Sequence, residues 1–323
     1  MARAVNFIVS CTNRKRFQPT AETSIGEIGG TDLRARLARW KQNLRVAPTQ
    51  EHHADEVYMG DHWSVVKSIP VDAAQAGFVV HIWICSAGYG LIRPDTIIKP
   101  YRATFTRGES DYIASGLAEN EHAMQDWWSG VCTYRLTRKG KAPRTLSAVA
   151  DAFPRTPMLV ALSADYLKAV SGDLLSVLDQ TYFRKHLSIV SCGTSQDSPK
   201  WKNNLLPCDS LMAGSLGGAL TSLNARIARH LLQSNTNAEM TVDRLRESAL
   251  SIERRLPADT EPGVAQTDSD VARFIRAYLK EYPAVSKSRL LREFRSQGLA
   301  CEQKRFGEIF TKFQQVTLKG MHA

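Results

Sequence analysis

Val79-Val80-His81-Ile82-Trp83-Ile84-Cys85 runs directly into Ser86-Ala87-Gly88-Tyr89-Gly90-Leu91. A short apolar run that ends in small turn residues reads as a buried strand. Three other runs have the same form: Val5–Val9, Met158–Leu162 and Leu187–Cys192. Each leads into a small, polar stretch: Ser10-Cys11-Thr12-Asn13, Ser163-Ala164-Asp165-Tyr166 and Gly193-Thr194-Ser195. Helix-like segments lie between them, at Asp32–Leu44, Asp61–Gln75 and Asp111–Trp128. Strands alternating with helices predict an α/β fold with a mostly parallel sheet and helices on both faces. Ligands in such sheets bind outside the carboxyl ends of the strands, so the functional site is expected at these turns.

The segment Leu216–Leu232 carries Leu216, Leu220, Leu223, Ile227 and Leu231, one stripe of an amphipathic helix. Its glycine-rich start, Gly214-Ser215-Leu216-Gly217-Gly218, has two readings. It either brings a phosphate to a helix N-terminus or lets the helix pack closely on the sheet.

The first domain is expected to span residues 1–235 and a linker residues 236–268, with one helix near Val242–Arg255. Pro257 and Pro262 interrupt any longer helix there. Thr267-Asp268-Ser269-Asp270 is a capping pattern that opens a small all-α module over 269–323. Val271, Phe274, Ile275, Tyr278 and Leu279 face inward on its first helix, which Pro283 ends. Arg289–Ser296 and Glu302–Phe313 form two more helices around a turn at Gly298, a helix-turn-helix-like shape.

Net charge is +10 and the pI near 9.4, which favours a polyanionic partner. Between Ser286 and Lys319 eight Lys and Arg face three acids, which places half of the excess charge in about a tenth of the chain. Arg289, Arg292, Lys304, Arg305 and Lys312 are therefore the candidate contacts to a DNA backbone. No apolar run is long enough to cross a membrane, and the start has no signal-peptide pattern, so the expected location is cytoplasmic. The six cysteines lack metal-ligand or disulfide spacing, and neither a metal nor a cofactor is assigned.

Around Ser86–Gly90 the small residues allow a phosphate or base close to the backbone. Tyr89, Tyr101 and Trp63 offer faces for base stacking. Asp95, after Pro94, is the carboxylate nearest this turn. The same residues also suit a structural loop whose glycines supply positive φ.

Ser86-Ala87-Gly88-Tyr89-Gly90-Leu91, Pro94-Asp95 and Pro100-Tyr101 resemble the S-A-[KG]-[YH]-G-L…P…PY motif of the YaaA-like proteins. Leu162-Ser163-Ala164-Asp165-Tyr166-Leu167-Lys168-Ala169-Val170 is similar to a second motif of that family. Asn224–Leu232 resembles its late helix, without that helix's Arg-Gly pair. Val9-Ser10-Cys11-Thr12, with Lys15 close by, and Val57-Tyr58-Met59-Gly60 resemble motifs of a related bacterial family found near phage genes. The islands cover about residues 5–232. The resemblance implies a core like that of the uracil-DNA-glycosylase superfamily, and an activity like that of anti-phage DNA glycosylases that remove glucosylated hydroxymethylcytosine.

A glycosylase must flip a base, hold a water, stabilise a sugar cation and donate hydrogen bonds to the leaving base. The resemblance puts Asn13 in the water-holding position, with Asp95 as the candidate base or partner of the sugar cation. Ser10, Cys11, Thr12, Tyr58, Ser86, Gly88, Tyr89, Gly90, Tyr101, Ser163 and Asp165 are the candidate base and sugar-phosphate contacts. Two other readings are a non-catalytic DNA-binding stress protein and a deazapurine or nucleotide base transferase.

Overall fold

The computed structural model describes residues 3–30, 32–118, 120–134, 142–193, 201–236, 239–255, 263–282, 285 and 287–320. The side chains of 288, 289, 292, 304 and 314–320 are outside this set, as are Thr194, Ser195, Pro257, Pro262 and Pro283. The chain divides into two compact units, Met1–Arg255 and Leu256–Ala323.

In the first unit β1 (Arg3–Ser10) pairs in parallel with β2 (Phe78–Ser86) on one side and β4 (Met158–Ala161) on the other. The short β3 (Gly90–Ile92) folds back antiparallel on β2, and β5 (Leu187–Val190) lies parallel to β4. The order is β3-β2-β1-β4-β5, a mixed α/β arrangement with a mostly parallel sheet. From β1 the chain crosses first to one side, then to the other. A crevice therefore opens between the carboxyl ends of β1 and β4, the switch point at which such sheets bind ligands.

Helix α1 (Leu33–Val46) starts on Asp32, whose side chain accepts the Ala35 amide at 2.8 Å. Helix α2 (Asp61–Gln75) packs on β2 and on α7 (Leu223–Ser234), which in turn packs on β4 and β5. Helix α3 (Ala123–Cys132) packs on β3, α1 and α5 (Ala164–Ala169); α4 (Leu146–Ala152) packs on α6 (Ser171–Asp179). Two expected helices are corrected. Residues 111–118 and 120–122 are not helical, and the helix begins only at Ala123. The stripe from Leu216 is broken: Gly217 and Gly218 have φ of +67° and +77°, and α7 starts at Leu223. Helix α8 (Val242–Leu250) belongs to the first unit, because Val242, Leu245 and Ala249 join its core. The unit thus ends beyond the expected residue 235.

The second unit holds α9 (Asp268–Glu281), α10 (Lys287–Ser296) and α11 (Gln303–Gly320). Their core contains Val271, Ile275, Leu279, Leu290, Phe294, Phe306 and Phe310. Thr267 caps α9, accepting the Asp270 amide and donating to the Asp270 carboxylate at 2.6 Å. A two-residue parallel bridge, Val264–Ala265 with Leu299–Ala300, ties its start to the turn at Gly298.

Candidate functional site

Parallel pairing of β1 with β2 and β4 sends their following loops out at one edge. Ser10 stands opposite Cys85, and Val9 opposite Ala161. Ser10–Asn13, Ser86–Gly90 and Ser163–Tyr166 therefore share that edge. Cys11 Sγ and Tyr166 Oη, 3.3 Å apart, join the first and third loops across the crevice.

The Ser86–Gly90 turn is closed from inside. Ser86 Oγ accepts the Gly88 and Tyr89 amides at 3.2 and 3.1 Å. With both lone pairs taken, Ser86 donates its own proton to Tyr101 Oη, 2.6 Å away, and Tyr58 Oη lies 3.0 Å beyond. The Trp127 and Trp40 indoles donate to the Ala87 and Gly88 carbonyls at 2.7 and 2.8 Å, and Arg144 holds the carbonyls of Tyr89 and Leu91. A Cβ on Gly88 would meet the Tyr101 ring at 2.5 Å; one on Gly90, at φ +74°, would meet the Cys132 backbone at 2.9 Å. The expectation that Ser86 and the Gly88 amide face a ligand is corrected, because the Ser86 hydroxyl and the Gly88 amide already have protein partners, and Gly90 pairs in the sheet with Ser86. The stacking role of Tyr89, Tyr101 and Trp63 is corrected too. Tyr101 is fully buried, Tyr89 and Trp63 are 2 % exposed, Tyr89 Oη binds the Lys99 backbone, and Trp63 donates to the Asp55 carbonyl. Burial holds the Tyr58, Tyr89 and Tyr101 phenols far above their ordinary pKa, so all three stay neutral.

The loop after β1 is open by contrast. Asn13 is exposed, and Ser10 and Thr12 are half-buried. Strand-like bonding of Arg14 and Arg16 to Met59 and Val57 fixes the loop's far end. Lys15 turns inward: its Nζ donates to the Thr12 carbonyl at 3.0 Å and sits 4.3 Å from the centre of the Tyr101 ring. Burial pulls its pKa below the usual lysine value, while Cys11 and Asp111 oppose the shift and Arg102 adds to it. His62, from α2, meets the Ser10 carbonyl at 3.0 Å through Nε2, so it carries its proton there. Burial lowers its pKa, and its buried Nδ1 has no partner.

Beside the carboxyl end of β4 lies a groove of about 680 Å³ lined by Arg107, Tyr112, Asn120, Glu121 and Lys168 among others. Tyr112 bridges to Thr104; burial raises its phenol pKa, which the neighbouring Arg107 opposes and the Asp165 charge reinforces. Ser163 opens α5 and is exposed; Asp165 follows in its first turn. Sequence patterning did not single out Arg107, nor Asp111 and Tyr112, which lay in a segment read as a helix; Lys168 lay inside a quoted motif. A second basic groove of about 580 Å³, lined by Arg184, Lys185, Lys202 and Arg246, lies beside the start of β5, at the edge opposite the switch point.

Asp95 is placed differently. β3 runs back along β2, with Gly90 opposite Ser86 and Ile92 opposite Ile84, so the Pro94-Asp95 turn is carried away from the edge that holds Asn13. Its half-exposed carboxylate lies 3.4 Å from Arg93 Nε, and its carbonyl is 3.0 Å from His53 Nδ1.

The glycine-rich approach to α7 already holds an anion. The Asp61 carboxylate accepts from Ser222 Oγ at 2.5 Å, the Ala219 amide at 3.4 Å and Arg226 at 2.7 Å. These bonds, Ser222 first, hold its pKa below the usual carboxylate value. The protein's own carboxylate stands where a phosphate was considered.

In the second unit Arg305 is engaged: its Nε lies 2.9 Å from Asp268, and a further nitrogen donates to the Gln266 carbonyl. Lys312 is exposed on α11. The side chains of Arg289, Arg292 and Lys304 lie outside the described residues. Among the described residues no cluster of His, Cys, Asp and Glu has the arrangement of a metal site, and no helix is long and apolar enough to cross a membrane. Comparisons of the chain with protein-family models, with curated proteins and with solved structures find no match.

Proposed function

We propose that this protein is a DNA glycosylase of the uracil-DNA-glycosylase-like type, which flips and excises a modified base in defence against phage. The observation that carries the reading is the junction of the β1 and β4 loops at the switch point. There Cys11 meets Tyr166, and Lys15 stands beside an exposed Asn13. The neighbouring groove has the volume expected of a small-ligand site, and Arg107 and Lys168 suit a phosphate at its rim. The substrate class, glucosylated hydroxymethylcytosine, is suggested by the family resemblance taken together with the chain length and the basic C-terminal segment.

In this reading the base is lost by a mostly dissociative path. Asn13 orients the water but takes no proton from it. Arg107 and Lys168 at the rim draw the phosphates of the flipped nucleotide to the edge. Asp111, whose charge reaches Lys15, is assigned the part first considered for Asp95, that of favouring the positive sugar. The second unit serves as a helix-turn-helix-like DNA contact through its local positive charge, with Lys312 among the contacting groups.

The test uses the full chain on three duplexes of one sequence: plain, hydroxymethylated and glucosylated. Alkali then reveals abasic sites. Strand breaks confined to the glucosylated duplex are expected. Binding to all three without breaks would replace the glycosylase with a non-catalytic DNA-binding protein, and no binding at all would remove DNA as the partner.

A further inference from the structure

Lys15 has a chemistry that a water-using glycosylase does not need. Its ammonium lies in a recess formed by the Thr12 carbonyl and the faces of Tyr101, at 4.3 Å, and Tyr58, at 5.9 Å. A lysine kept only to attract phosphate is best left in water, where it stays charged. This one is placed at the switch-point edge, on the loop that also carries Asn13, with neutral phenols beneath it. The titratable and charged groups that face it are Cys11, Tyr58, Tyr101, Arg102 and Asp111. Desolvation favours its neutral amine, the form that is nucleophilic.

We infer that Lys15 is an amine nucleophile that forms a Schiff base with C1′ of a deoxyribose at this edge, which gives the protein an abasic-site lyase activity. The inference rests on the reading of the site as a DNA-processing one. In the open-chain form of an abasic sugar, the Lys15 Nζ lone pair attacks the C1′ aldehyde and forms an N–C bond. The carbonyl oxygen leaves as water after taking two protons, one from the amine and one from solvent, and a protonated imine remains. Loss of a C2′ proton, for which Asp111 is the nearby carboxylate, then expels the 3′ phosphate with the C3′–O electron pair. Hydrolysis of the imine returns the amine. No oxidant, reductant or metal enters the balance.

An abasic duplex tests this without any knowledge of the excised base. The full chain is incubated with a duplex carrying one abasic site in the presence of borohydride, which reduces an imine to a stable amine. A covalent protein–DNA adduct is expected, and peptide mapping by mass spectrometry is expected to place it on Lys15. Lys15→Arg, which keeps the charge, should lose the adduct with an unchanged melting curve. Lys41→Ala, at a half-buried lysine of α1 whose Nζ donates to Thr133 Oγ1 at 2.9 Å, should keep it. An adduct mapped to another amine, an undiminished adduct in Lys15→Arg, or no adduct with the unaltered chain would overturn the inference. Alkali-revealed excision on glucosylated DNA without trapping would leave the glycosylase reading standing while this one falls. Trapping on abasic DNA without excision of any base would do the reverse.

Discussion

Two neighbouring turns leave the same edge of the same sheet and have opposite fates. The turn after β2, Ser86–Gly90, is small, polar and glycine-rich, which is how a ligand-cradling loop reads in a sequence. Trp40, Trp127 and Arg144 take its carbonyls, and its own Ser86 takes the Gly88 and Tyr89 amides. The loop after β1, Ser10–Lys15, has no glycine, yet it holds an exposed Asn13 and a desolvated Lys15. Small residues let something approach the backbone closely, but in the first turn that something is the Tyr101 ring. The β2 turn thereby positions phenols on which the β1 loop rests its lysine. One turn is scaffold, and the other is the surface on which chemistry can act.

The largest expected effect tests the scaffold. Gly90→Ala adds left-handed strain and a clash with the Cys132 backbone, each costing about 1–3 kcal/mol. A thermal melt should fall by roughly 2–4 °C per kcal/mol for a unit of this size. An unchanged melt would show that the turn is not tightly held, and the contrast would dissolve.

Asn13→Ala should do the opposite. Its side chain is exposed, so stability should stay within about 0.5 kcal/mol. If Asn13 holds the water, single-turnover excision should fall about a hundred- to a thousand-fold, as for other transition-state hydrogen bonds. Asp95→Asn, made in parallel, should leave excision close to normal, since that carboxylate lies on Arg93 and away from the edge. A complete loss of excision in Asp95→Asn would return the catalytic carboxylate to Asp95.

Ser86→Ala comes next. It orphans the Gly88 and Tyr89 amides in a buried interior and leaves the Tyr101 hydroxyl with Tyr58 alone, at a cost of about 1–3 kcal/mol. Denaturant unfolding measures it, and a neutral result would mean that water replaces the hydroxyl.

The smallest effect is on pH. The unfolded chain protonates His62 near its ordinary value of 6.5, whereas the folded protein resists until lower pH. The unfolded state then binds more protons, so this part of the stability is present above about pH 6.5 and lost as the pH falls below it. His62→Gln should flatten that acid slope in melts recorded across the range. An unaltered slope would assign it to other groups.

How far the sequence carried is visible in particular residues. The four buried strands were legible because an apolar run bounded by turn residues needs no knowledge of its neighbours. Parallel pairing followed from the helices between the strands, and with it the common edge of the three loops. Residues 111–122 were not legible. Their composition allows a helix, but the segment spends its hydrogen bonds on other contacts, such as Ile113 N to Thr104 O at 3.1 Å. The helix read from Leu216 failed because Gly217 and Gly218 take positive φ, and at Gly218 the Arg226 guanidinium also fills the space a Cβ would need.

The sequence by itself determined the elements, their alternation, the excess charge near the C-terminus and the edge at which a site must lie. These follow from periodicity, turn chemistry and chain direction, all short-range properties. Only the tertiary structure decided which of two polar turns stays open. That depends on partners far along the chain: Trp40 is 48 residues from the Gly88 carbonyl it binds, and Arg144 is 55 residues from Tyr89. A buried polar group costs free energy unless a partner reaches it, and no local pattern states which distant side chain will arrive.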